Sequence, residues 1–145
     1  MNTSQKSAAV YRRNSHYFVH ANLRTPAGFW IASVPASLLP VTLSAEELGA
    51  SIIGVLAGSV QAPSGDTPLL AIAKVRSWRA LQRSAALCNV WRSTAGFVVE
   101  PTRNGGSAGD GRGYHPLSDQ SVAVPAEDGP GDLGAAVVAA FERCC

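Results

Sequence analysis

Apolar positions recur along the chain with two different periods. Between residues 8 and 34 they alternate: Tyr17, Val19 and Ala21 interleave with His16, Phe18 and His20, and Phe29 and Ile31 interleave with Trp30 and Ala32. A period of two marks strands with unlike faces. Thr25, Pro26, Ala27 and Gly28 supply a turn between the two runs, so a β-hairpin is predicted there. A shorter strand at Ala8 to Arg12 precedes it across Asn14 and Ser15, and Pro35 to Thr42 reads as a connector.

The period then changes. Ser44 with Glu47 three positions on forms a capping box ahead of Leu48, Ile52, Val55 and Leu56, which share one helical stripe. Gly49, Gly54 and Gly58 weaken that helix, so packing must hold it. After a break at Pro63 to Asp66, Thr67 to Ala86 reads as a second helix with Pro68 in its first turn and with Arg76, Arg79 and Arg83 on one face, opposite Leu81 and Ala85. A second hairpin follows, Leu87 to Arg92 and Phe97 to Thr102, turning at Ser93 to Gly96.

Arg103 to Asp119 holds five glycines and no period, and reads as an exposed loop of about 17 residues, a length usually associated with function or disorder. Val122 and Val124 mark a short strand. Pro130 and Asp132 open the last helix, whose Leu133, Ala136, Val137, Ala140, Phe141 and Cys144 give the cleanest amphipathic stripe in the chain. Hairpins interrupted by helices, without strict β-α-β alternation, predict an α+β fold: an antiparallel sheet of five or six strands with helices packed on it.

With 145 residues, 46% hydrophobic and 15% charged, the chain has the composition of a folded single domain, taken as residues 8–145 behind a disordered polar segment at 1–7. The apolar run Leu133 to Phe141 is far below the roughly 20 residues that span a bilayer. Met1 to Ser7 leads into no apolar signal-peptide core, which predicts a cytoplasmic protein. Cys88 stands alone and Cys144 and Cys145 are adjacent, a pattern of free thiols with neither a zinc spacing nor a disulfide framework.

The net charge of +2 hides an asymmetry. Lys74 to Arg103 carries six basic residues against Glu100 alone, whereas Asn104 to the end carries six acids against Arg112 and Arg143. Segments of opposite sign can neutralise each other within one fold, which weakens the basic stretch as a sign of nucleic-acid binding.

Reactive chemistry is weakly represented. Gly105 to Gly109 matches G-x-S-x-G around Ser107, but no helix follows to build a nucleophile elbow. Gly109 to Gly113 resembles a phosphate cradle in its glycines only. His16 and His20 stand about 13 Å apart if both lie on one strand, too far to share a metal ion. His115 with Asp110 or Asp119 has the residue types of an acid–base pair, but a glycine-rich loop gives it no rigid support. The Arg76, Arg79 and Arg83 face with Trp78 and Trp91 nearby leaves a small RNA-binding module as the alternative function.

From Ser77 to Cys144 the chain resembles the immunity proteins of bacterial contact-dependent growth inhibition, the CdiI type. The resemblance rests on Ala80, Leu81 and Cys88 in RALQRSAALC, on Phe97, Val99, Pro101 and Thr102 in FVVEPT, and on SVAVPAEDGPGDLGAAVVAAFERC near the end. Its Val-x-Val-Pro-Ala strand end, the proline at the helix start, the Leu-Gly-Ala-Ala run and the closing cysteine are the most specific parts. The chain departs from the family's pattern in the Ala- and Leu-rich stretch Gly58 to Val75, in Trp78 where a basic residue is usual, and in the glycine-rich segment Asn104 to Tyr114. Variation at exposed positions is one way for a shared scaffold to reject wrong partners.

The resemblance implies a non-enzymatic cytoplasmic protein, without cofactor or metal, that neutralises the CdiA C-terminal toxin domain delivered by a neighbouring cell. That toxin is often a nuclease acting on tRNA or other RNA, inhibited by covering its active site or by blocking substrate access. Asp110, Arg112, Tyr114, His115 and Asp119 on the long loop are the first candidates for toxin contact, through pairing of carboxylates with catalytic Lys or Arg. Arg76, Arg79, Arg83 and Arg103 form a second candidate surface.

Overall fold

Alternation in the first three runs becomes an antiparallel meander: β1 (Lys6–Arg13), β2 (His16–Arg24) and β3 (Trp30–Pro40). The structure, a computed structural model, describes residues 6–24, 26–28, 30–58, 66–106 and 109–144. Asn14 takes the left-handed conformation that the tight β1–β2 turn requires, with φ 53°. Lys6 and Ser7, expected outside the domain, are its first ladder residues, opposite Arg92 and Trp91 of the fourth strand. Met1 to Gln5 lie outside the described residues.

The predicted connector is the first correction: Pro35 to Pro40 continue β3. Prolines are tolerated because β3 is the edge of the sheet, where one side of the strand makes no ladder bonds. A register shift opposite His20 and Ala21 absorbs two β3 residues, Val34 and Pro35.

Helix α1 (Ala45–Ala57) starts as its capping box predicts: Ser44 Oγ accepts from the Glu47 amide, and the Ser44 amide donates to the Glu47 carboxylate. The expected long helix is instead two, α2 (Asp66–Ala73) and α3 (Trp78–Ser84). Lys74, with φ 59°, ends α2, while the Lys74 and Val75 amides bond back to the Ala71 and Leu70 carbonyls. Ser77 then caps α3 through the Ala80 amide. Arg76 therefore precedes α3, and only Arg79 and Arg83 share a helical face, both exposed.

Strands β4 (Ala86–Ser93) and β5 (Gly96–Asn104) form the second hairpin, and β4 pairs with β1. The supposed loop from Arg103 is largely built. Arg103 and Asn104 end β5, Tyr114–Pro116 form β6 on its outer edge, and a 3-10 turn at Ser118–Gln120 leads to β7 (Val122–Pro125) farther along the same edge. Helix α4 (Pro130–Arg143) closes the chain. The described strands form one seven-stranded sheet, β3-β2-β1-β4-β5-β6 with β7 also on β5, antiparallel at every pairing.

Both sheet faces carry core. On one, Val10, Val19, Val90 and Val99 pack under α1 and α4 through Leu48, Ile52, Leu56, Leu133 and Val137, all almost inaccessible. On the other, Phe18 and Leu38 pack under Leu69, Ala73 and Leu81 of α2 and α3. Burying each large side chain contributes about 1.5–3 kcal/mol. No helix among the described residues is long and apolar enough to cross a membrane.

Candidate functional site

Strand alternation places Ser7, Ala9 and Tyr11 of β1 on the same face as His20 and Asn22 of β2, Trp30 and Ala32 of β3, and Leu87, Asn89 and Trp91 of β4. These residues, with Trp78 of α3 as one wall, line an open groove of about 350 Å³ beside the area covered by α2 and α3. All three tryptophans of the chain meet there. Trp30 and Trp91 stand edge to face at 5.4 Å, and Tyr11 and Trp78 flank the His20 ring at 5.6 and 5.8 Å. Aromatic surface of this extent in a concavity is typical of binding sites.

Polar atoms in the groove have a definite bias. His20 is only 2% exposed, and its Nδ1 lies 2.9 Å from its neighbour's carbonyl oxygen, Ala21 O. A carbonyl can only accept, so Nδ1 carries the proton and Nε2 is a bare acceptor, buried and without a partner among the described residues. Burial holds the ring neutral, pushing its pKa from 6.5 down to about 4 against the opposing effect of the Ala21 bond. Asn22 uses its amide nitrogen toward Ser7 Oγ, at 3.1 Å, and Asn89 donates to the Glu100 carboxylate at 3.3 Å. Burial also raises the Tyr11 phenol to about 12.

At the far end of the same face a smaller recess, about 220 Å³, gathers Arg13, His16 and Lys74 around Phe18 and Leu38. Arg13 Nε donates to Ser84 Oγ at 2.6 Å, which ties the first hairpin to α3.

The residues singled out from sequence divide among several places. Asp110 and Arg112 are exposed on the hairpin tip between β5 and β6, where Arg112 Nη1 donates to the Gly109 carbonyl. That tip is tied down: the Gly105 amide donates to Gly113 O and the Gly113 amide to Gly106 O, and a side chain at Gly105 would collide with the Gly111 carbonyl. Asp119 is exposed on the 3-10 turn. His115 and Arg103 are direct cross-strand partners, and His115 Nε2 lies 2.8 Å from Gly111 O, so it braces the hairpin. Ser107 lies outside the described residues.

Tyr114, expected on an exposed loop, is the one whose surroundings differ most. It is half-buried against the Tyr11 ring, and its hydroxyl donates to the Ala85 carbonyl at 2.8 Å. Desolvation, reinforced by Tyr11, raises its pKa. Asn104 adds two bonds, to the Gln82 and Ala85 carbonyls, so β5 and β6 together cap the C-terminal end of α3. Arg79 and Arg83 thus sit on a helix joined to the base of the Asp110 hairpin, and the two surfaces taken as separate adjoin.

His20, a polar residue on the alternating first hairpin, is buried: the Tyr11, Phe18 and Trp78 rings enclose it. Sequence reasoning missed Tyr11, His20, Asn22, Trp30 and Asn89 as members of one site. The available signal was that the alternate positions of both hairpins carry aromatic and polar residues where a solvated face would carry charge. Among the described residues no group of three His, Cys, Asp or Glu side chains comes together to hold a metal ion.

No family model and no curated protein sequence matches the chain. Two solved structures share its architecture, each with a TM-score of 0.75 and 16% identity. One is a protein of unknown function from Neisseria meningitidis, matched over 100% of this chain and 98% of that one. The other is a chain of the CdiA-CT/CdiI toxin and immunity complex from Yersinia pseudotuberculosis, matched over 100% of both. The chain therefore has, from end to end, the fold of a component of a toxin–immunity complex.

Proposed function

We propose that this protein is an immunity protein of the contact-dependent growth inhibition type, which binds a CdiA C-terminal toxin domain in the cytoplasm and neutralises it as a non-catalytic inhibitor. The observation that carries the reading is the full-length likeness to a chain of a toxin and immunity complex. The sequence resemblance supports it in a specific way. Leu81, Cys88, Phe97, Val99, Pro101, Thr102, Leu133 and Gly134, which carry much of it, are buried. They specify the scaffold and leave the choice of toxin to exposed residues.

The target fits a nuclease. Asp110, Asp119, Glu127 and Asp128 are all exposed on segments that follow one another along the outer edge of β5. An acidic edge complements the cationic groups with which a nuclease holds phosphate, and inhibition follows from covering those groups or from excluding substrate beside them. Arg112 and His115 border this edge, and Arg79, Arg83, Arg76 and Arg103 supply cations for acidic groups at its periphery.

The reading predicts a CdiA C-terminal toxin domain encoded immediately upstream of this gene, and co-expression with that domain tests it. Rescue of growth and co-purification as a stoichiometric complex are expected, and a toxin that neither binds nor is neutralised would refute it. Reversing charge at Asp110 and Asp119 should slow association several-fold at low salt, with little change in dissociation. A single-stranded RNA-binding role is the second reading, favoured by the three tryptophans that line one groove, and predicts salt-dependent RNA binding by the chain alone.

A further inference from the structure

We propose that the groove formed by Trp30, Trp78, Trp91 and Tyr11 over His20 receives one arginine side chain of the partner protein. The inference rests on the toxin-binding reading above and names the part of the partner that the groove takes.

Complementarity carries the argument. Among the described residues no Lys, Arg, Asp or Glu belongs to the lining itself; Arg24 stands at its edge over Trp30, and the Glu100 carboxylate accepts from Asn89 beside it. Its walls are π surfaces, which attract cations through the ring quadrupole. Among the described residues the Nε2 of His20 is a buried acceptor with no partner, and Asn22 and Asn89 each spend one amide N–H, on Ser7 and Glu100. The floor therefore asks for donors. A guanidinium offers five donors, no acceptor and a flat face that stacks on aromatic rings.

The protein already shows such a contact at the edge of the groove, where Arg24 Cζ stands 5.9 Å over the Trp30 ring. A buried acceptor without a donor costs stability in the free protein, and an entering guanidinium would relieve that cost. Nucleic acid fits less well, because successive phosphates need several cations beside the stacking surface, whereas Arg24 stands at the groove's edge and the lining itself holds none. The basic recess at Arg13 and Lys74 lies at the far end of the face.

The test uses the full ¹⁵N-labelled chain and three probes: acetyl-Gly-Arg-Gly-amide, the same peptide with neutral citrulline, and a uridine hexanucleotide. The arginine peptide should shift the three indole N–H signals and the His20 Nε2 resonance, with citrulline binding about tenfold weaker. Trp91→Leu should abolish the response. Asn22→Asp keeps a hydrogen bond to Ser7 and adds a negative charge at the wall, so it should tighten the arginine peptide about threefold; this gain remains readable even where Trp91→Leu fails to fold.

Equal binding of citrulline, a response to the hexanucleotide alone, or shifts that follow protein concentration without peptide, as self-association would give, each overturn the proposal. With the toxin domain, Trp91→Leu should weaken binding tenfold or more. Unchanged toxin affinity in Trp91→Leu and Asn22→Asp removes the groove from the interface and leaves the immunity function standing. Binding of the arginine peptide with no binding of toxin by the natural chain removes the immunity function and leaves the groove's preference for arginine intact.

Discussion

Gly49 of α1 and Gly134 of α4 meet in a reciprocal close contact: a methyl group on Gly49 would overlap the Pro130 carbonyl, and one on Gly134 would overlap the Ala45 carbonyl. The two helices approach backbone to backbone, and no side-chain rotation can relieve the overlap. Gly49→Ala and Gly134→Ala should each destabilise the fold by about 2–4 kcal/mol, since overpacking at immobile backbone is costly. Gly54, on the exposed side of α1, has nothing within 4 Å of the same position. Gly54→Ala should stabilise by about 0.5–1 kcal/mol. Urea titrations of the three variants would read opposite signs from the same substitution.

Lys74 occupies the left-handed position at the end of α2, where glycine is the usual residue. Its side chain is exposed and its conformation carries a steric cost from Cβ. Lys74→Gly should therefore raise stability, by up to about 1 kcal/mol, while the split between α2 and α3 persists. A lower midpoint in thermal or urea unfolding would contradict this account of the break.

His20 makes folding sensitive to acid. Burial lowers its pKa from 6.5 to about 4, so below pH 6.5 the unfolded chain takes up a proton that the folded chain refuses. The contribution is complete above pH 6.5 and is lost as pH falls toward 4, amounting to about 3 kcal/mol across the window. Replacing the ring by phenylalanine removes the titration. The difference in unfolding free energy between His20→Phe and the natural chain should change by about that amount between pH 7 and 4; a constant difference would show that the folded ring takes up its proton at the same pH as the unfolded one.

Cys88 is fully buried under α4, and desolvation raises its thiol pKa. Thiolate is the reactive form, so Cys88 should resist alkylation by iodoacetamide in the native state and react at the rate of global unfolding. Half-buried Cys144, whose Sγ donates to the Leu87 carbonyl, should be modified earlier. Peptide mapping over a time course gives the order directly.

Resemblance and architecture speak to different halves of the problem. The residues that look like an immunity protein's are mostly those that hold α3, β4, β5 and α4 together, whereas the groove joins Trp78, Asn89 and Trp91 of that stretch to Tyr11, His20, Asn22 and Trp30 from outside it. A shared scaffold with an individual surface is what partner selectivity demands.

Elements whose cause is local were legible in the chain. The alternation of Tyr17, Val19 and Ala21, the Ser44–Glu47 capping box and the stripe from Leu133 to Cys144 each depend on neighbours within about two turns or one strand. The α+β class follows from their order. Three other features depend on partners far along the chain. Pro35 to Pro40 form a strand because β2 lies beside them with the sheet's edge beyond. Asn104 and Tyr114 are ordered by carbonyls at the end of α3, which turns a glycine-rich stretch into a hairpin. The meeting of Trp30, Trp78 and Trp91 requires the pairing of β1 with β4, which sets the two hairpins side by side. Periodicity assigns a residue to a face, but only the strand order decides which faces adjoin, because that choice is made by burial summed over the whole sheet.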